Sequence, residues 1–204
     1  MKLSEIAEFT QGAFKNRLED PTSEVELLQV KPLSLKEFNE TLGLAYRISK
    51  DRDVTITVPK EKLSPNLLTD TNSTILHIHT QKVVWLPEKY TGLLITNNFI
   101  KIQLVSNVDE AFFEWYFNEH PSIQKQLAIL CEGTFNSSLK LSHLKDLDVN
   151  LPPYQQQIAI GKIAQLKKKK KLLMSEKSRL QQLYIQHKLI QGITTIGGNK
   201  NDNQ

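Results

Sequence analysis

The sequence predicts an α+β fold, a mixed β-sheet domain followed by one long C-terminal α-helix that pairs with another helix. Three observations predict it. Up to about residue 105, segments rich in Val, Ile and Thr alternate with polar residues at the period of strands. From Val108 the period changes, and Phe112, Trp115 and Tyr116 recur at helical spacing. After Pro153 the helical pattern runs unbroken to about Gln191.

The elements follow in order. In "KLSEIAEFTQG", Leu3, Ile6, Ala7 and Phe9 form a short helix or strand that stops at Gly12. "VELLQVK", "DVTITVPK", "STILHIHTQKVVWLP" and "GLLITNNFIKIQLV" read as strands of a largely antiparallel or mixed sheet. Asp109 suits the start of a helix, and Pro121 after His120 marks its end. "SSLKLSHLKDLDVNLPP" gives a short helix and a final strand. Pro152–Pro153 then ends that strand, starts the long helix and acts as a hinge between the two parts. The expected organisation is a globular domain over 1–151, a helix over 152–192 with Gly192 as its stop, and a disordered tail over 193–204. Such a helix is on the order of 55 Å long, more than the globule needs for its own core.

Charge separates the same parts. Residues 151–193 carry nine Lys/Arg against the single acid Glu176, whereas residues 1–150 sum to −4. A basic rod suits a polyanion or an acidic protein partner, although the run Lys167–Lys171 is equally a solvated helix face. Ile163, Leu166, Leu173, Leu180 and Leu183 form a stripe with a seven-residue ladder at 166, 173 and 180. Such a ladder is a packing seam, and with one such helix in the chain the simplest partner is a second copy. The lysines would repel one another in a parallel pair, so the pair is expected to be antiparallel. No apolar run reaches a membrane span, and the lone Cys131 lies in a core-like pattern, so the expected location is the cytoplasm.

Catalytic patterns fail. "NLPPY" differs by one inserted Leu from the Asn-Pro-Pro-Tyr of amino-group DNA methyltransferases, and no Gly-x-Gly turn is present for a methyl donor. There is no Asp-x-Lys or Glu-x-Lys of a metal-dependent nuclease. His77 and His79 share a strand face but lack further ligands nearby, so no catalytic residue and no metal site is expected.

The run "GTFNSSLKLSHLKDLDVNLPPYQQQIAIGKIAQL" resembles the end of a target-recognition domain from the specificity subunit of a type I restriction-modification system. The resemblance rests on Gly133, Thr134, Leu139, Leu144, Leu147, Leu151, Pro152, Pro153, Gln156 and Ile158, with Gln155 where the family has an acid. "KLSEIAEFTQG" and "NNFIKIQLV" are similar to the family's opening segment and late core strand. The chain holds one recognition domain and one long helix where the family's full subunit has two of each, and so looks like a half subunit.

What the resemblance implies is recognition without catalysis. The expected partners are double-stranded DNA and modification (methyltransferase) subunits, with a restriction subunit as an optional third. S-adenosylmethionine would be bound by the methyltransferase subunits, not by this chain. The candidate DNA-binding residues are Lys15, Asn16 and Arg17; Arg47, Lys50 and Arg52; and Asn136, Ser138 and Lys140, basic and amide groups on loops. Two other classes stay open: a dimeric coiled-coil adaptor that binds a protein, and an enzyme built from scattered residues.

Overall fold

A computed structural model of the chain describes residues 1–19, 25–44, 54–71, 73–105, 107–131 and 139–198, with Cys131 and residues 193–198 described by backbone alone. A 3-10 turn, Leu3–Glu5, leads into β1 (Ala7–Gln11), so the opening segment is both a helical turn and a strand. Next come α1 (Lys15–Leu18), β2 (Leu27–Val30), α2 (Leu35–Leu42), β3 (Ile56–Pro59), β4 (Thr74–His77), β5 (Lys82–Trp85) and β6 (Phe99–Leu104). Four helices close the chain: α3 (Glu110–Glu119), α4 (Pro121–Cys131), α5 (Leu141–Lys145) and α6 (Tyr154–Gly198). The α+β class is as the sequence predicts. The chain divides into two units, Met1–Gln165 and Leu166–Gln204.

The first unit is built on a four-stranded sheet in the order β1-β6-β4-β5, antiparallel at every pairing. A second, two-stranded sheet pairs β2 with β3. The larger sheet is covered on both faces. Leu76, Val83, Ile100 and Ile102 meet Phe112, Phe113, Tyr116 and Phe117 of α3, while Ile75, Val84 and Phe99 meet Leu33 and Phe38 on the other side. Burial on both faces explains why "TIL", "KVVW" and "FIKI" lack strict polar alternation. Lys101 is the exception within β6: its buried ammonium donates to Asp70 Oδ2 (2.6 Å) and to the Leu68 carbonyl (3.0 Å). A charge at that depth persists because it is paired.

Strand β5 is an edge, and α3 covers it. Asn118 behaves as a short strand neighbour: its Oδ1 accepts from Val83 N–H (2.9 Å) and its Nδ2 donates to the Val83 carbonyl (2.6 Å). Glu114 Oε2 accepts the next outward-facing donor, Trp85 N–H (3.2 Å). Pairing these groups removes a template for strand addition.

Helix ends follow local chemistry. Asp109 caps α3 by accepting from Phe112 N–H (2.7 Å), and Pro121 opens α4. Helix α2 has a capping box, in which Ser34 Oγ accepts from Lys36 N–H (3.1 Å) and Glu37 Oε2 accepts from Ser34 N–H (3.1 Å), and it stops at Gly43 with φ 75°.

Two expectations are corrected. The final strand before Pro152 is only a bridge, Lys2 to Asp148. Its segment is held by the chain's first residues, through Leu3 N–H to the Leu147 carbonyl (2.9 Å) and Val149 N–H to the Met1 carbonyl (2.9 Å). Gln126 takes the opposite edge, accepting from Asp148 N–H (2.7 Å) and donating to the Asp148 carbonyl (2.9 Å), so the ladder grows no longer. Helix α6 also passes through Gly192 and reaches Gly198. A glycine inside a helix costs about 1 kcal/mol relative to alanine, too little by itself to end a long helix. The tail's residues 199–204 and the side chain of Cys131 lie outside the described residues. Among the described residues, no helix is long and apolar enough to cross a membrane.

Candidate nucleic-acid interface

At one end of the four-stranded sheet, segments distant in sequence are laced side by side by backbone hydrogen bonds. Gly12 N–H donates to the Phe99 carbonyl and Ala13 N–H to the Ile95 carbonyl, each at 3.0 Å. Asn97 N–H returns a bond to the Ala13 carbonyl (2.9 Å). Ile78 N–H donates to the Asn98 carbonyl and Leu139 N–H to the Ile78 carbonyl, again at 3.0 Å. Gly12 permits the first contact, because a Cβ there would stand 2.0 Å from the Thr96 carbonyl oxygen.

This lacing brings the start of α1 and Lys140 to the same rim. Lys15, Asn16 and Arg17 lie on α1, just after Ala13. Lys15 is half-buried, with Nζ 3.6 Å from Glu19, while Asn16 is exposed. The Arg17 guanidinium sits 4.8 Å above the ring of the exposed Phe14. Lys140 is exposed and precedes α5, next to the laced Leu139. Arg47, Lys50, Arg52, Asn136 and Ser138 lie outside the described residues.

The Pro152–Pro153 turn is held by a side chain that the sequence does not single out. The resemblance pointed to Gln156, which is exposed; the buried glutamine is Gln157, one position later. Gln157 Nε2 donates to the Pro152 carbonyl (2.9 Å) and the Asn107 carbonyl (3.4 Å), and its Oε1 accepts from Asp109 N–H (3.2 Å). One turn on, Gly161 lies against the α3 cap: a Cβ there would be 2.5 Å from Asp109 Oδ1 and 2.8 Å from Phe112 N. The first turns of α6 are thereby fastened to the start of α3. The Asn150 N–H donates to the Tyr116 hydroxyl (3.1 Å), so "NLPPY" is a helix entrance tied to the core. The usable signal was a glutamine where α6 begins, a polar group whose two ends can satisfy both loop carbonyls and a helix-start N–H.

On the second unit the predicted seam is bare. Leu166, Leu173, Leu180 and Leu183 are 66%, 61%, 52% and 49% exposed, and Ile163, on the last turns of the first unit, is 67% exposed. That much apolar surface on a charged helix is unusual for a helix that meets only water.

No protein-family model and no curated protein matches the sequence. Solved structures do match its fold. The HsdS subunit from Thermoanaerobacter tengcongensis aligns with TM-score 0.52 at 9% identity, over 87% of this chain and 39% of that one. A chain from a structure concerned with complex assembly and conformational transition of the type I R-M system aligns with TM-score 0.59 at 8% identity, over 92% of this chain and 42% of that one. The chain spans about two-fifths of the length of these solved chains. It has the fold of the specificity subunits of type I restriction-modification systems.

Proposed function

We propose that the chain is a non-catalytic, sequence-specific DNA-recognition subunit of a type I restriction-modification complex, a half subunit that dimerises through α6 to read a bipartite site. The observation that carries this reading is the fold of the solved specificity subunits, matched over two-fifths of their length. Methyltransferase subunits are the partners that bind S-adenosylmethionine and modify the DNA, with a restriction subunit as an optional third. The site of action is the cytoplasm.

The sequence of α6 supports a particular pairing. Leu166 and Leu180 each lie seven residues from Leu173, and Ile163 and Leu183 each lie ten from it. Lys170 and Glu176 each lie three from it. An antiparallel pair with its two-fold axis at Leu173 therefore sets Leu against Leu, Ile against Leu, and Lys170 against the only acid of the rod. Each copy then offers one half-site reader, and the DNA read is an inverted repeat with an unread spacer.

Competition titration tests this reading. The full chain should bind duplexes selected for affinity at least about 10³-fold more tightly than bulk genomic DNA, with affinity falling steeply as salt rises. Equal affinity for both would contradict it.

A further inference from the structure

We propose that Asn97, Asn98 and His79, beside Asn16, Arg17 and Lys140, form the rim that reads base edges in each half-site; this rests on the DNA-recognition reading above. The rim exists because the sheet order places the end of β1, the start of β6 and the end of β4 next to one another, although they are far apart in sequence. The bonds through Ala13, Asn97, Asn98, Ile78 and Leu139 then set four segments abreast. At the usual spacing of neighbouring strands they span about 14 Å, the rise of roughly four base pairs.

The two asparagines carry most of the weight. Asparagine is common in turns because it tolerates positive φ or bonds its own backbone. Neither reason applies here. Among the described residues the only non-glycine with positive φ is Gln81. Among the described residues, the one side-chain hydrogen bond that either amide makes is the long contact from Asn97 Nδ2 to Asn98 Oδ1 (3.4 Å). Asn98 is exposed and Asn97 half-buried, so both keep a donor and an acceptor that no other described residue occupies. An amide offers a donor beside an acceptor, the pattern that matches N6 and N7 of adenine in the major groove. Exposed His79, Asn16 and Arg17 add further base-directed groups on the same rim, and Lys140 adds a cation for phosphate. Mixed amide and cationic chemistry of this kind fits base edges better than an acidic protein surface, which would call for cations alone.

The test uses the full chain and a random-sequence duplex DNA pool, with bound molecules recovered and sequenced. The wild-type chain is expected to enrich one motif. Asn97→Ala and Asn98→Ala should each relax one or two adjacent positions of it, by roughly 5- to 150-fold in discrimination, without changing the salt dependence. Lys140→Gln should instead weaken all sequences alike and lower the salt slope by about 0.9. Because Asn98 and His79 are exposed, Asn98→Ala and His79→Ala keep the test open if Asn97→Ala does not fold. Should the Asn98 and His79 variants both enrich the wild-type motif at wild-type stringency, the rim is overturned while the DNA reading stands. A wild-type chain that enriches no motif overturns the DNA reading, and the rim with it.

Discussion

Gly161 of α6 and Asp109 at the start of α3 approach so closely that a single added methyl group would stand 2.5 Å from the Asp109 carboxylate. That carboxylate is already committed to the N–H of Phe112 (2.7 Å), and the gap to Phe112 N itself would be 2.8 Å. In an open helix, Gly→Ala stabilises by up to about 1 kcal/mol. At position 161 the methyl must displace backbone, so Gly161→Ala is expected to destabilise the first unit by about 1–3 kcal/mol. Gly192→Ala meets nothing within 4 Å and should stabilise α6. Thermal unfolding of the two variants checks the contrast. Equal shifts of the same sign would mean that the α6–α3 contact is looser than described.

Asn118 protects the edge of β5, and its removal should have two effects. Asn118→Ala leaves the Val83 N–H and carbonyl without their side-chain partners, at about 1–3 kcal/mol. It also opens an edge to strand addition, so the variant should aggregate faster during refolding. Light scattering during dilution from denaturant measures this, and wild-type turbidity would count against the covering role.

His77 makes stability depend on pH. It is packed between Phe38 and Phe99, with ring centroids at 5.6 and 5.1 Å. Burial, aided by the neighbouring His79, pushes its pKa from 6.5 down to about 4. The unfolded chain takes up this proton near pH 6.5 and the folded chain resists until about 4, so the unfolded state binds more protons in between. Stability is therefore intact above about 6.5 and falls by about 1.4 kcal/mol per pH unit towards 4. Denaturant titrations from pH 7 to 4.5 should show that slope reduced in His77→Phe. An unchanged slope would place the proton uptake elsewhere.

Much of this fold was legible because local chemistry agreed with tertiary demand. Asp109 and Pro121 mark their helix ends in any context, and the apolar runs at 74–77, 82–85 and 99–104 are strands. Helix α2 carries local signals too, a Ser34–Glu37 capping box at its start and Gly43 at its end. The role of Gln157 was not legible, because a motif gives no burial and only packing distinguishes it from its neighbours Gln155 and Gln156. The rim was not legible. Asn97 sits beside Ala13 only because β6 inserts between β1 and β4, an order no local pattern encodes.

The antiparallel register predicts a charge-swap rescue. Glu176→Lys should weaken self-association by a few tenths to about 1 kcal/mol for each of the two interchain pairs, on top of the lysine repulsion it adds. Adding Lys170→Glu should restore it. Leu173→Asp with Leu180→Asp should give a folded monomer that loses the bipartite site. Sedimentation at micromolar concentration reads all three, and a wild-type chain that runs as a monomer, alone and with its modification subunit, would sink the register.

Methylome sequencing of a host with and without this gene tests the central claim most directly. The account predicts adenine methylation at one bipartite site, an inverted repeat with a fixed unread spacer, that disappears when the gene is removed and returns with the wild-type chain. A methylome that is identical in the two strains would contradict it.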